Sequence, residues 1–324
     1  MEVEGPIIID SVDTSTEFAE DSANSPTDSP IVGGRMVENE YPFSECALHV
    51  HGENGICAPK PTIDKIRKFL ISLGKYKPDT VTGYTDQEVI KTAKIELGVD
   101  NESQLYTHHK IQEFLGGSHI ARKTLEDYFK AEGPTNNTAL LDNFNIDETL
   151  AKWAKHSEEV FGKKFHHVPF QMIDFAERGT ELANLDIHRL KEDGYKSFGV
   201  ILNTDRSSGK GKHWFAIYGD LDHAGTEKDP LVIEYFNSSG NPPMREVSDW
   251  MEAVKHDMLK NYGIEVETIR SANRRLQNSM TECGVWSLMY ILSRLKNHPP
   301  DWYYKTNAND ADMIELRSFL FREA

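Results

Sequence analysis

Cys283 carries the strongest nucleophile in the chain, and it lies within Gln277-Asn278-Ser279-Met280-Thr281-Glu282-Cys283-Gly284-Val285-Trp286-Ser287-Leu288. After it, Val285, Leu288, Ile291, Leu292 and Leu295 recur at helical spacing, so the cysteine is expected to open a buried helix. A helix start offers unpaired N–H groups and a positive dipole end, both of which favour thiolate over thiol. A free thiol titrates near ~8.5, and such a position with a cationic neighbour brings it below about 7. A lone cysteine is more often a small buried hydrophobe. Other residues change that reading.

A cysteine nucleophile needs a base beside it, and the base needs an orienting acceptor. His213 begins the strand-like run His-Trp-Phe-Ala-Ile-Tyr, directly after a Gly-rich loop. Asn237 closes the next run, Ile233-Glu234-Tyr235-Phe236-Asn237, before the turn Ser238-Ser239-Gly240. If the two runs pair antiparallel, the start of one lies beside the end of the other. The Asn237 amide oxygen then accepts from the imidazole and sets its tautomer. Gln277, six residues before Cys283, is expected to join the Cys283 N–H in stabilising an oxyanion. Singly, each residue has a plain structural explanation; the ordered set is far more specific.

The elements that must position these groups follow from periodicity. Three strands are expected at Ser197–Leu202, His213–Tyr218 and Leu231–Phe236, and a fourth at Ile264–Ile269. Helices are expected from about 244 to 260, from Cys283 onward, and over Asp310–Phe321. Asn145 with Glu148 is read as the cap of a helix bearing Leu150, Trp153 and Val160. The loop Ser207-Ser208-Gly209-Lys210-Gly211 lacks phosphate-loop spacing. Upstream, Thr62 is read as the cap of a helix ending at Gly74, and Thr85 with Glu88 as a capping box closed by Gly98. Two more helical stretches are expected around 103–115 and 120–131, with His108-His109 as plain surface.

Residues 1–35 carry eight acids against Arg35 and are expected to be disordered. This gives an acidic tail (1–35), a small helical arm (36–132) and an α+β domain (133–324), with Gly133-Pro134 as the boundary. At 38% hydrophobic and 27% charged residues, the composition is that of a water-soluble globular protein. The formal net charge of −16 argues against a nucleic-acid backbone as partner. Arg270, Arg274 and Arg275 are read as a solvated loop or a contact for an acidic substrate. No apolar run approaches the ~20 residues of a membrane span. The acidic N-terminus lacks a signal-peptide pattern, so a cytosol-like compartment is expected. Cys46, Cys57 and Cys283 argue against a disulfide framework and form no zinc-type CxxC pair.

The order Gly-Lys-His-Trp (211–214), Tyr-Phe-Asn-Ser-Ser-Gly (235–240) and Gln-x5-Cys-Gly (277–284) resembles the ubiquitin-like-protein (SUMO) protease superfamily, which includes the adenovirus protease. Strings such as 143–150, 202–205, 233–238 and 281–284 are similar to its polyprotein-processing branch, typified by African swine fever virus. The resemblance covers roughly 131–324, and the helical region is similar to that branch's arm only in kind. It implies a papain-like α+β core with His213, Asn237 and Cys283 as triad and Gln277 at the oxyanion. Most cellular members have Asp at the position of Asn237. Trp214 corresponds to the family's Trp over a narrow cleft for Gly-Gly substrates, and Asn203 to a residue assisting the histidine or the oxyanion, at the substrate side. The implied function is a viral cysteine endopeptidase cutting structural polyproteins after Gly-Gly-x, without metal or organic cofactor, in the host cytoplasm and the virion. Its rivals are a deSUMOylase or deubiquitinase acting on host conjugates, and a catalytically dead scaffold that binds a Gly-Gly tail.

Overall fold

The computed structural model describes residues 45–323 apart from 52–54, 78–82, 135, 137 and 271–273. The acidic stretch 1–35 lies outside the described residues. Five helices come first: α1 (Lys60–Ser72), α2 (Asp86–Leu97), α3 (Glu102–Thr107), α4 (His109–Leu115) and α5 (Ser118–Tyr128). Ile66, Leu70, Val89, Ala93, Leu105 and Phe129 meet in their common core. The capping box of α2 forms as expected, with Glu88 Oε2 accepting from the Thr85 N–H at 2.7 Å and Gly98 left-handed at φ 67°. Helix α1 begins earlier than expected: Pro59 is its cap and Pro61 pre-sets the first turn, so Thr62 lies inside. The stretch around 103–115 divides because His108 is extended (ψ 126°) and turns its side chain to cap α4.

The cysteine expectation needs correction. Cys46 and Cys57 form a disulfide, with Cα atoms 4.9 Å apart. Tertiary contacts that the spacing does not announce bring them together. Cys46 bridges Phe129 at the end of α5, while the Cys57 and Ala58 N–H groups donate to the buried Glu102 carboxylate at 2.8 and 3.0 Å. Cys283 is free.

The second part runs β1 (Ala131–Glu132), α6 (Asn143–Lys155), α7 (Ser157–Phe161), β2 (Phe165–His167), β3 (Gln171–Met172), α8 (Phe175–Arg178), a 3-10 turn at Leu182–Asn184, and α9 (Ile187–Glu192). It continues with β4 (Ser197–Asn203), β5 (Trp214–Asp220), β6 (Leu231–Phe236), α10 (Arg245–Tyr262), β7 (Val266–Arg270), α11 (Cys283–Leu295), α12 (Trp302–Lys305), α13 (Asp310–Leu320) and β8 (Phe321–Arg322). The cap of α6 is Asp142, with Asn145 as its reciprocal partner rather than as the cap. The main sheet has the order β2-β4-β5-β6-β7, antiparallel through β4-β5-β6 and parallel at both flanks, with β3 also on β4. β1 pairs parallel with β8, tying the junction after α5 to the chain end.

Alternation along β5 splits the apolar residues between two layers. Trp214, Ala216 and Tyr218 face α11, α6 and α13, whereas Phe215 and Ile217 face α9 and α10. This is the expected α+β architecture. Every residue of α11 from Cys283 to Leu295 is buried. Arg294 near its end would then be a stranded charge, but its Nε and Nη2 reach the fully buried Glu234 of β6 at 2.8 Å each. Tyr290 Oη donates to the same carboxylate at 2.6 Å. Breaking a buried pair from one side leaves an uncompensated charge, which costs about 3–5 kcal/mol. Arg294→Met is therefore expected to lower the unfolding free energy by that amount, and Arg294→Met with Glu234→Gln to recover most of it, measured by urea denaturation of both variants.

Candidate active site

The β5–β6 ladder pairs Ala216 with Phe236. Continuing that register past the last ladder pair sets His213 opposite Ser239, a diagonal neighbour of Asn237 on the same face. His213 itself stands one residue before β5. Its Nε2 lies 2.8 Å from Asn237 Oδ1. The antiparallel pairing expected from sequence thus joins these two side chains.

The surrounding hydrogen bonds fix which way the proton points. Asn237 Oδ1 also receives the backbone N–H of Ser239 at 3.0 Å and its hydroxyl at 2.7 Å, while Asn237 Nδ2 donates to Tyr235 Oη at 2.9 Å. A backbone N–H can only donate, so the atom facing His213 is the amide oxygen. His213 Nε2 must then carry the hydrogen, and Nδ1 is left as the acceptor. Tyr235 and Ser239 were not singled out by sequence reading. Their signal was their position two residues either side of Asn237, on its face.

Cys283 reaches the same place from α11. The backbone N–H groups of Trp214, next to His213, and of Gly284 and Cys283 itself lie where they favour the thiolate. A thiol, an imidazole and an amide are therefore brought toward one end of β5. Burial pushes the Cys283 thiol up, outweighing the three N–H groups that lower it, and the Glu282 charge pushes it further up. Burial also pushes the His213 imidazole down, against the smaller opposing effect of Asn237. Both directions favour a neutral thiol beside a neutral imidazole. Burial of Cys283, which is only 3% exposed, opposes the thiolate that the helix start favours.

Gln277 is brought close by two loops pressed together. Gly240 is left-handed (φ 75°), and a Cβ there would meet the Arg275 backbone nitrogen at 2.7 Å. Across this contact, the Leu276 and Gln277 N–H groups donate to the Ser238 carbonyl. Ser238 Oγ donates to Gln277 Oε1 at 2.7 Å, and Gln277 Nε2 donates to the Ser279 carbonyl at 2.9 Å. The amide is thus oriented with its nitrogen toward the 279 segment, and one of its two N–H bonds is engaged there. Arg275 Nε bonds the Gln277 carbonyl and Arg274 lies over Tyr304, while both arginines stay exposed, as expected of a solvated loop.

Trp214 is pinned. Its indole N–H donates to the Leu141 carbonyl at 3.0 Å, and Phe170 meets the ring edge-on. Leu141 presses on the helix start, where a Cβ on Gly284 would come within 3.0 Å of the Leu141 side chain, so the glycine permits the contact. Asn203 ends β4, opposite Trp214. It is buried, and its Oδ1 accepts from the N–H groups of Asp205 and Lys212, both at 2.9 Å. It closes the loop that delivers His213. Among the described residues no group of acidic, histidine or cysteine side chains is arranged to hold a metal ion.

Comparison with known proteins shows the family and the fold. The chain is 38% identical over 296 residues to the SUMO-1 cysteine protease of African swine fever virus from a Kenyan pig isolate, covering 87% of this chain and 96% of that protein. It is 38% identical over 291 residues, at the same coverage, to the cysteine protease of a Malawian tick isolate. The crystal structure of the African swine fever virus protease matches with a TM-score of 0.69 at 35% identity, over 88% of this chain and 97% of that one. The match extends well beyond 131–324, and so takes in part of the helical arm. No family model matches the chain.

With His213 held low by burial, its acid limb should lie below the usual imidazole value of about 6.5, activity falling as pH drops through it. Asn237→Asp keeps the acceptor and adds a negative charge, which should move that limb to higher pH while retaining measurable turnover. Asn237→Leu removes the acceptor and should lose about 10³–10⁴-fold in kcat. Peptide-cleavage pH profiles of the three proteins check this; equal rates for the two variants would make Asn237 a turn former only.

Proposed function

The chain belongs to the family of the African swine fever virus cysteine protease, a family of viral cysteine proteases, and from that premise we propose that it is an endopeptidase cutting structural polyproteins after Gly-Gly-x. The observation that carries the reading is the His213–Asn237 hydrogen bond at the head of β5, beside Trp214, whose backbone N–H acts on the Cys283 sulfur. In this mechanism His213 Nδ1 takes the thiol proton as the sulfur attacks the scissile carbonyl carbon. The oxyanion is held by the Cys283 N–H and the Gln277 amide. As the tetrahedral adduct collapses, Nδ1 returns its proton to the leaving amine, and a thioester to Cys283 remains. Water, deprotonated by the same nitrogen, then hydrolyses the thioester and restores the thiol.

Asn237 keeps the proton on Nε2 throughout and supports the imidazolium through its oxygen. An amide gives less electrostatic support than a carboxylate would. The preference for glycine is supported by the pinned Trp214 ring and by Leu141 against the helix start, both within the shell of the nucleophile. On this reading the two wall a cleft that admits backbone but little side chain, and glycine has none. The same reading assigns the work to viral assembly sites in the host cytoplasm and to the virion. No described helix is long and apolar enough to cross a membrane.

Cys283→Ala should fold normally and lose turnover on the order of 10⁶-fold, as nucleophile loss does in comparable hydrolases. On wild type, kcat/KM for peptides bearing Gly-Val-Ala or Val-Gly-Ala should fall about 100-fold below Gly-Gly-Ala, a loss near ~2.7 kcal/mol. Trp214→Ala should narrow that gap and lower the overall rate. Comparable values for all three peptides on wild type would remove the case for glycine selection. Preference for a folded SUMO conjugate over Gly-Gly-x polyprotein segments would favour a deconjugating enzyme instead.

A further inference from the structure

Glu282 stands immediately before Cys283, and its carboxylate is fully buried. Arg317 of α13 grips it with two bonds, Nε to Oε2 at 2.8 Å and Nη2 to Oε1 at 3.0 Å. The hydroxyl of Thr281 donates to Oε1 at 2.8 Å. The same guanidinium also donates from Nη1 to the Ala139 carbonyl at 2.8 Å and from Nη2 to the Thr281 carbonyl at 3.2 Å. One buried cation therefore joins α13, the turn that carries Cys283, and the segment leading to Leu141. Leu141 in turn holds Gly284 and the Trp214 indole.

A buried pair is a weak source of stability, since apolar replacements of similar volume often serve as well. Its placement here has another consequence. A bare carboxylate next to the sulfur would oppose formation of the thiolate during attack. We propose that Arg317 is a positioning residue for Cys283, cancelling the Glu282 charge beside the sulfur and holding the helix start against the 139–141 segment. The proposal rests on Cys283 being the nucleophile. The other charged or titratable groups around this helix start are His213 at the head of β5, Arg275 on the approach loop and Asp310 of α13. Asp310 accepts the N–H groups of Asn278 and Ser279 and the indole N–H of Trp286, and is fixed by them.

The test is the pH dependence of iodoacetamide alkylation at Cys283, read by mass spectrometry, which needs no peptide turnover. Arg317→Met exposes the thiol to an uncancelled carboxylate and should raise the midpoint by about one pH unit, tenfold slower alkylation at pH 7. Glu282→Gln leaves the cation and should lower the midpoint. The double variant Glu282→Gln/Arg317→Met carries neither charge and should return it to within about 0.3 unit of wild type. In the peptide assay, Arg317→Met should lose kcat far more than it changes KM, with recovery toward high pH. A folded Arg317→Met with an unchanged midpoint, or a double variant that stays shifted, overturns the proposal. If Arg317→Met does not fold, Glu282→Gln decides, and a midpoint that stays or rises overturns it. Cleavage by Cys283→Ala overturns instead the reading on which the proposal rests.

Discussion

Everything at the candidate site depends on a helix buried on all sides. α11 runs beneath the sheet with α6 and α13 packed around it, and it has no solvent face. Burying each large apolar side chain contributes about 1.5–3 kcal/mol, so the helix has strong reason to sit where it does. Its two charged neighbours set the terms. Arg294 at its far end must find Glu234 on β6, and Glu282 before its first turn must find Arg317 on α13. The first pair locks the helix to β6, which leads directly into Asn237. The second locks the turn that presents Cys283.

The same burial sets the protonation states. A thiol and an imidazole removed from water both lose more as ions than the nearby dipoles return, so burial favours the neutral form of each. Catalysis then needs correct geometry rather than a standing thiolate. That geometry is a chain of satisfied hydrogen bonds: Ser239 sets the Asn237 oxygen, Asn237 sets the His213 tautomer, and Ser238 sets the Gln277 amide. Three consecutive residues after β6 thus orient three different parts of the site. A partly satisfied network of this kind would be worse than none, because unpaired buried polar groups are expensive.

Much of this was legible in the sequence because it is periodic or local. The alternation of β5 and β6, the helix after Cys283 and the antiparallel neighbourhood of His213 and Asn237 follow from side-chain period and turn residues alone. What was missed is long-range or competitive. The Cys46–Cys57 pair is set by packing at Phe129 and Glu102, residues far along the chain. The Glu282–Arg317 pair joins residues 35 apart, with no pattern linking them. Asn203, read as assisting the histidine or the oxyanion, closes the loop before His213 through bonds that no sequence pattern announces. The thiol was expected to be acidic because the dipole of a helix start is visible in sequence, whereas the depth of burial that defeats it is not. His108 broke a continuous helical pattern because its own side chain caps the next helix.

The central claim is that burial and the Asn237 amide hold a neutral His213 with its proton on Nε2 beside a neutral thiol. Nitrogen-15 NMR of the His213 ring at pH 7, in wild type and in Cys283→Ala, reads this directly. The account predicts one protonated nitrogen, Nε2, and one bare nitrogen, Nδ1, in both proteins. A doubly protonated ring in wild type that becomes neutral in Cys283→Ala would reveal a standing thiolate–imidazolium pair and contradict it.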